Sequence, residues 1–130
     1  MNREERAAKA VELKHGGYNC CQAVACAFAD KVNMDEAQLK QIGLGFGGGM
    51  ATMDGTCGAL CGAIMVNSLA ADPKLVRGNS KFLVQNFNEL CGATICKELK
   101  GIGTGIMLCS CDDCVKNATL LTADLFEDAE

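Results

Sequence analysis

Several residue types are scarce in this chain, and each scarcity excludes a class of function. The 130 residues include no tryptophan and one tyrosine, too few aromatic rings for a platform that stacks nucleic-acid bases or sugars. Acidic residues outnumber lysine and arginine by 16 to 12, and no basic run occurs, so neither nucleic acid nor an anionic membrane is an expected partner. A single histidine, His15, excludes a histidine-rich zinc site and a di-iron carboxylate site.

Two kinds of apolar segment are also missing. The most apolar stretch, residues 58–71, is shorter than the ~20 residues that span a bilayer, and it contains Asn67 and Ser68. Residues 1–6 carry charges where a secretory signal would be apolar. We therefore expect a cytoplasmic location, in which cysteines remain reduced and a disulfide scaffold is not expected.

Helix signals dominate the chain, and strand signals are almost absent. Asn2 with Glu5, and Asn33 with Glu36, have the spacing of capping boxes. The length suits one domain, residues 1–130. We expect an all-α fold, a compact bundle of about five or six short helices with a glycine-rich loop and a Cys-rich C-terminal loop. The expected helices are residues 2–14, 20–31, 33–42, 57–69, 80–91 and 112–126, with a short helical turn at residues 94–99.

Cysteine is the abundant residue, with ten in the chain, several times ordinary usage. The thiolate, rather than the thiol, is both the redox nucleophile and the soft-metal ligand. Cys57 and Cys61 lie one turn apart at the start of a predicted helix, whose free N–H groups favour a thiolate at Cys57. Cys57 is therefore the expected nucleophile of a dithiol mechanism, whereas Cys61 also fits a small buried core residue.

The C-terminal loop contains three cysteines within six residues, Cys109, Cys111 and Cys114, after a glycine-rich stretch. A loop of this kind can turn all three thiols toward one point. The spacing matches neither the bacterial ferredoxin run nor a pair of C-x-x-C zinc knuckles. It therefore predicts a metal site or a redox pair without naming the metal.

A second loop is rich in glycine. Residues 43–49 contain the pattern G-x-G-x-x-G, but a helix rather than a strand precedes them, which excludes the dinucleotide-binding fingerprint. We expect the backbone of Gly47, Gly48 and Gly49 to approach the cysteine site or a bound anion closely. A flexible connector is the alternative.

The chain contains an ordered set of motifs: Asn19-Cys20 before Gln22-Ala23-Val24, Phe46 to Met50, Thr56 to Met65, Cys96 to Leu99, and Cys111 with Val115. Together these motifs resemble the C-GCAxxG-C-C family of redox-active proteins. The resemblance spans about residues 10–125 and implies that the family's cysteines fall on Cys20, the Cys57 region, Cys96 and Cys111. The chain departs from the pattern by reading Cys-Gly-Ala from Cys57, and it has six further cysteines. The family is typical of anaerobes and has a relative domain in split-Soret cytochromes, where an iron–sulfur centre has been suggested.

Three functions fit these observations. The first is an iron–sulfur protein that transfers electrons in an anaerobic cytoplasm, the second a dithiol/disulfide oxidoreductase, and the third a zinc- or copper-binding protein. The first implies a redox partner protein. A flank of small residues, including Gly58 and Gly62, and a high apolar content also predict a homodimer. The expected metal ligands are Cys20, Cys57, Cys61, Cys96, Cys109, Cys111 and Cys114.

Overall fold

The computed structural model describes residues 1–126. Short helices joined by turns and loops make up this part of the chain. No strand occurs among these residues, although an isolated bridge pairs Thr56 with Ile95. The prediction of an all-α fold is therefore confirmed. The helices are α1 (Arg3–His15), α2 (Cys20–Cys26), α3 (Glu36–Ile42), α4 (Gly47–Met50), α5 (Gly58–Ala70), α6 (Pro73–Cys91), α7 (Cys96–Lys100) and α8 (Cys111–Leu125), with a 3₁₀ turn at Gly43–Phe46.

Reciprocal caps define the starts of the first two helices. The side chain of Asn2 accepts a hydrogen bond from the N–H of Glu5 at 2.8 Å, and the Glu5 carboxylate accepts one from the N–H of Asn2. Asn19 and Gln22 form the same capping box at α2. α2 ends at Cys26, earlier than predicted, because the N–H groups that follow reach carbonyls three residues back and form short turns.

Two helix starts differ from the prediction. α6 begins at Pro73 rather than near residue 80, because proline is favoured in the first turn of a helix. Asp72 caps this helix by accepting a hydrogen bond from the N–H of Lys74 at 3.0 Å. α3 begins at Glu36 without a side-chain cap, so the capping box predicted for Asn33 does not form.

The glycine segment forms a left-handed turn instead of an open loop. In α4, a single turn, Gly48 and Gly49 have φ angles of +64° and +61°, a region that costs other residues about 1–2 kcal/mol each. Met50, Ala51 and Met53 are also left-handed, with φ angles of 59°, 68° and 65°. The segment 48–53 therefore holds a conformation that its non-glycine side chains disfavour.

The close approach of α5 to α2 depends on glycine. A Cβ added at Gly62 would lie 2.6 Å from the carbonyl oxygen of Cys21, and one at Gly58 would lie 3.2 Å from the Cys21 amide nitrogen. The flank of small residues from which the sequence predicted a homodimer therefore packs on α2 of the same chain. Phe28 and Leu60 belong to the apolar core around this contact.

A buried arginine fastens α1 to the turn that follows α2. The guanidinium of Arg6, whose side chain is 1 % exposed, donates to the carbonyl of Ala27 at 2.7 Å and to the Asp30 carboxylate at 2.6 Å. It also lies over the ring of Phe28. Among residues 1–126, no helix combines the length and the apolar character that crossing a bilayer requires.

Candidate thiol and metal centre

Backbone hydrogen bonds place the starts of α5 and α7 side by side. The N–H of Cys57 donates to the carbonyl of Thr94 at 2.8 Å, and the N–H of Cys96 donates to the carbonyl of Gly55 at 3.0 Å. Cys57 is the N-cap residue of α5, and Cys96 is the first residue of α7. The pairing therefore brings together two cysteines that are far apart in sequence.

Three buried thiols form the tightest group. The Sγ atoms of Cys91, Cys109 and Cys114 all lie within 4.8 Å of one another. Cys91 ends α6, the N–H of Cys109 donates to the carbonyl of Leu99 at 3.2 Å, and Cys114 lies in the first turn of α8, which Ser110 caps. Two sulfurs bound to one ion at about 2.3 Å are at most ~4.6 Å apart. The triad can therefore hold a soft metal ion with little rearrangement.

Four further cysteines adjoin this triad. Cys57 lies close enough to Cys114, and Cys20 close enough to Cys111, for the members of each pair to shift each other's pKa. Cys96 lies within electrostatic reach of Cys57 and Cys111. We name the combined set the thiol cluster, and it consists of Cys20, Cys57, Cys91, Cys96, Cys109, Cys111 and Cys114.

Lys100 brings a positive charge into the thiol cluster. From the last turn of α7, its Nζ donates to the Sγ of Cys114 at 3.5 Å and to the carbonyl of Cys109 at 3.1 Å. Burial disfavours its charged form, but the sulfurs of Cys114, Cys111 and Cys57 outweigh burial and raise the pKa of Lys100. The ammonium therefore stabilises negative charge on neighbouring sulfurs.

The environment of Cys57 favours its thiolate. A hydrogen bond from Cys114 lowers the pKa of Cys57, and burial opposes this effect. The N–H groups of Ala59 and Leu60 at the start of α5, together with the charge of Lys100, lower the pKa further. This is the helix-terminus effect that the sequence predicts for this residue.

Two other thiols of the cluster become more acidic in the same way. The Cys114 thiol, whose single proton can be donated to either neighbour in turn, also lowers the pKa of Cys91, and the Cys20 thiol lowers the pKa of Cys111. The donor in each pair is affected in the opposite direction, since the same hydrogen bonds raise the pKa values of Cys114 and Cys20. The cluster therefore combines thiolates, which can bind metal or attack a disulfide, with thiols that donate hydrogen bonds to them.

The three predicted glycines approach different groups. A Cβ added at Gly49 would lie 2.6 Å from the Cβ of Cys96, and one at Gly47 would lie 2.6 Å from the side-chain nitrogen of Asn19. A Cβ at Gly48 would meet nothing within 4 Å. Gly49 therefore backs onto the thiol cluster, Gly47 supports the N-cap of α2, and Gly48 faces open space.

Six of the seven expected metal ligands lie in the thiol cluster, and their role as ligands stays a prediction. The seventh, Cys61, lines an apolar cavity, and its thiol donates to the carbonyl of Thr56 at 3.9 Å. Cys91, the seventh member of the cluster, is absent from the ligands that the sequence predicts. The feature that indicates it is its position directly before Gly92, whose φ of +95° ends α6. At a helix end, a thiol can face a neighbouring segment.

Two more cysteines lie between helices outside the thiol cluster. The thiol of Cys21 contacts the Sδ of Met65 at 3.5 Å, and the thiol of Cys26 donates to the carbonyl of Glu36 at 3.9 Å. Burial raises the pKa of Cys21 to about 12 and that of Cys26 to about 11. Both residues are therefore neutral in the free protein at ordinary pH.

The fold and the site together define a class of protein, a helical protein with a buried group of cysteines that can bind a metal. The sequence model of the family described as "Putative redox-active protein (C_GCAxxG_C_C)" matches residues 18–125. The chain belongs to this family. No curated protein and no solved structure matches the chain.

Proposed function

We propose that this protein holds an iron–sulfur centre on the thiol cluster and transfers electrons to a partner protein in an anaerobic cytoplasm. The observation that carries the proposal is the buried triad of Cys91, Cys109 and Cys114, whose Sγ atoms lie within 4.8 Å of one another, with the ammonium of Lys100 3.5 Å from one of these sulfurs. The other cysteines of the thiol cluster adjoin this group. A structural zinc uses four thiolates and gains nothing from the remaining thiols. The potential of an iron–sulfur centre, by contrast, depends on the hydrogen bonds and charges next to its sulfurs.

The donor chemistry of the site fits such a centre. Thiolates are the ligands that iron–sulfur clusters require, and they must be deprotonated before they bind. The lowered pKa values of Cys57, Cys91 and Cys111 make that step easiest at these three residues. The proposed ligands are the four cysteines that match the family pattern, Cys20, Cys57, Cys96 and Cys111, with the triad of Cys91, Cys109 and Cys114 as further candidates.

Burial within the cluster suits electron transfer. Cys57 and Cys114 are 2 % and 0 % exposed, so water has little access to this side of the site. Cys20 and Cys111 are only half-buried, so the opposite side lies near the surface that a redox partner would approach. Lys100 offsets part of the negative charge that thiolates and a reduced centre would carry, which favours the reduced state.

The test is the metal content of protein purified without oxygen, compared across three cysteine variants. We expect wild-type protein to be brown and to contain iron and acid-labile sulfide, and Cys57→Ser and Cys111→Ser to lose both. Serine keeps nearly the same volume but removes the soft ligand. Cys26→Ser is the matched control, because Cys26 is buried outside the cluster and its loss should cost about 1 kcal/mol in packing without loss of iron.

Two results would contradict this proposal. Colourless wild-type protein with stoichiometric zinc would assign the cluster to a structural or storage role. Iron retained by both Cys57→Ser and Cys111→Ser, but lost from Cys26→Ser, would place the centre elsewhere in the chain.

A metal-free dithiol mechanism is the second candidate, and the mutual pKa shifts of Cys57 and Cys114 favour it. Because Cys57 is 2 % exposed, this reaction requires the site to open to the substrate. The Cys57 thiolate then attacks the substrate disulfide, and Cys114 resolves the mixed disulfide. The two protein thiols lose two electrons and two protons, which the substrate gains as two thiols. Colourless, metal-free protein with one titratable Cys57–Cys114 disulfide would support this mechanism over the iron–sulfur centre.

We also propose a homodimer, now on the basis of exposed apolar residues, because the small residues on α5 pack against α2 of the same chain. Ile42, Leu44 and Leu69 are large apolar residues with at least two fifths of their surface exposed, and two copies could cover them. Sedimentation equilibrium tests this directly. A monomeric mass at concentrations well above those in a cell would contradict it.

A further inference from the structure

A second group of sulfur atoms lies between α2 and α5, apart from the thiol cluster. On α5, the positions of Gly58, Cys61, Gly62 and Met65 fall within about 100° of arc at about 100° per residue. The two glycines of this arc lie against the backbone of Cys21. Cys61 and Met65 therefore belong to the helix face that α2 covers.

The side chain of Cys21 reaches the same face. Its Sγ lies 3.5 Å from the Sδ of Met65. Cys61 precedes Met65 by four residues, the spacing at which two side chains on a helix are neighbours. We name Cys21, Cys61 and Met65 the α2/α5 sulfur site.

An apolar cavity of about 600 Å³ gives access to this site. Cys61 and Met65 line it and are half-buried, whereas Cys21 is fully buried behind them. Another thioether, Met34, lines the same cavity. The hydroxyl groups of the lining belong to Thr56 and Ser68, so the cavity wall offers sulfur and few hard donors.

We propose that the α2/α5 sulfur site binds one monovalent soft cation, Cu(I), through the sulfur atoms of Cys21, Cys61 and Met65. Thiolate and thioether ligands select Cu(I), whereas carboxylate, carbonyl and imidazole ligands suit other common metals. Two sulfurs bound to one ion at about 2.3 Å lie at most ~4.6 Å apart. The contact of 3.5 Å between Cys21 and Met65 is within that limit.

The number of ligands adds a selection against zinc. Divalent zinc prefers four ligands, one more than this site offers from the three named side chains.

Cu(I) binding by protein purified without oxygen tests the inference. Cu(I) is added in competition with a chromophoric Cu(I) chelator, and both the copper bound and the iron or zinc retained are measured per chain. We expect one tightly bound Cu(I) in the wild type and in Cys26→Ser, with no release of the metal already present. We expect Cys61→Ser to lose this one equivalent at the same content of other metals.

Met65→Leu keeps the apolar volume of the site and removes one sulfur. Loss of groups that merely support a metal ligand weakens binding about 10–100-fold, so Met65→Leu should weaken Cu(I) binding at least tenfold. X-ray absorption of the copper-loaded wild type should show sulfur neighbours only.

Two outcomes would overturn the inference. The first is equal Cu(I) binding by wild type and Cys61→Ser, which would mean that the copper occupies other ligands. The second is copper uptake accompanied by an equal loss of iron or zinc, which would place the ion in the thiol cluster. The first outcome does not depend on whether the thiol cluster holds iron, because it compares two proteins at the same measured content of other metals.

Discussion

The contact between Gly49 and Cys96 gives a sharp test of the site, because the neighbouring Gly48 provides a matched control. Both glycines are left-handed, with φ angles of +61° and +64°. A Cβ at Gly49 would lie 2.6 Å from the Cβ of Cys96, whereas a Cβ at Gly48 would meet nothing within 4 Å. Gly48→Ala and Gly49→Ala therefore impose the same backbone penalty, and only the second meets a neighbour.

The expected magnitudes follow from this difference. Alanine in the left-handed region costs about 1–2 kcal/mol, of which about 0.4–1 kcal/mol is recovered because alanine restricts the unfolded chain. Gly48→Ala should therefore lower the free energy of unfolding by about 1 kcal/mol. At Gly49 the new methyl group must displace Cβ of Cys96, which is fixed by the backbone of α7, and overpacking of this kind adds about 1–3 kcal/mol.

Urea unfolding followed by helical circular dichroism measures both variants, with reduced protein from which metal has been removed. Displacement of Cys96 should also lower the metal content of Gly49→Ala after purification without oxygen, while Gly48→Ala keeps it. The reasoning fails if the two variants have the same free energy of unfolding within about 0.5 kcal/mol and the same metal content.

Three further predictions concern charge and pH. Lys100→Gln should raise the pKa of Cys111, because the ammonium lowers it; the pH profile of iodoacetamide alkylation in metal-free protein should shift upward, and an unchanged profile would contradict this role. Burial raises the pKa of Cys26 from 9.0 to about 11, so the free energy of unfolding should fall as the pH rises through this range, and Cys26→Ala should reduce that fall in urea titrations. Asp30→Asn should lower the free energy of unfolding by about 1 kcal/mol, because Arg6 is buried but Asp30 is 60 % exposed; no change in urea unfolding would show that other partners hold Arg6.

The parts of the fold that could be predicted depend on local chemistry. The capping box of Asn2 and Glu5 involves residues three apart, so the sequence alone specifies it. The start of α6 is harder to predict, because Pro73 ends one helical segment and also occupies the first position of the next helix. Asp72, directly before this proline, is the residue type that indicates a helix start.

The candidate site was predictable in composition more than in arrangement. Cys57 and Cys111 lie at a predicted helix start and in a predicted loop, where a side chain can face a shared site. Both residues have lowered pKa values in the structure. Cys91 was missed because its partners come from the C-terminal loop, and no local pattern reports a contact between segments so far apart. The difference between Gly48 and Gly49 was equally hidden, since it depends on which atoms of α7 lie behind each residue.

The left-handed segment 48–53 has a consequence for the order in which this protein assembles. Met50, Ala51 and Met53 would each adopt other conformations in an isolated peptide, so local preference cannot form this turn early. Hydrogen bonds within the turn, such as that from the N–H of Met53 to the carbonyl of Gly48 at 2.9 Å, are supplemented by distant ones, such as that from the N–H of Lys97 to the carbonyl of Met53 at 2.8 Å. Because α7 and this turn stabilise each other, we expect Cys96 to reach its final place after α2 and α5 have packed. A metal that binds Cys96 would then bind late, and would stabilise a chain that is already mostly folded without initiating its folding.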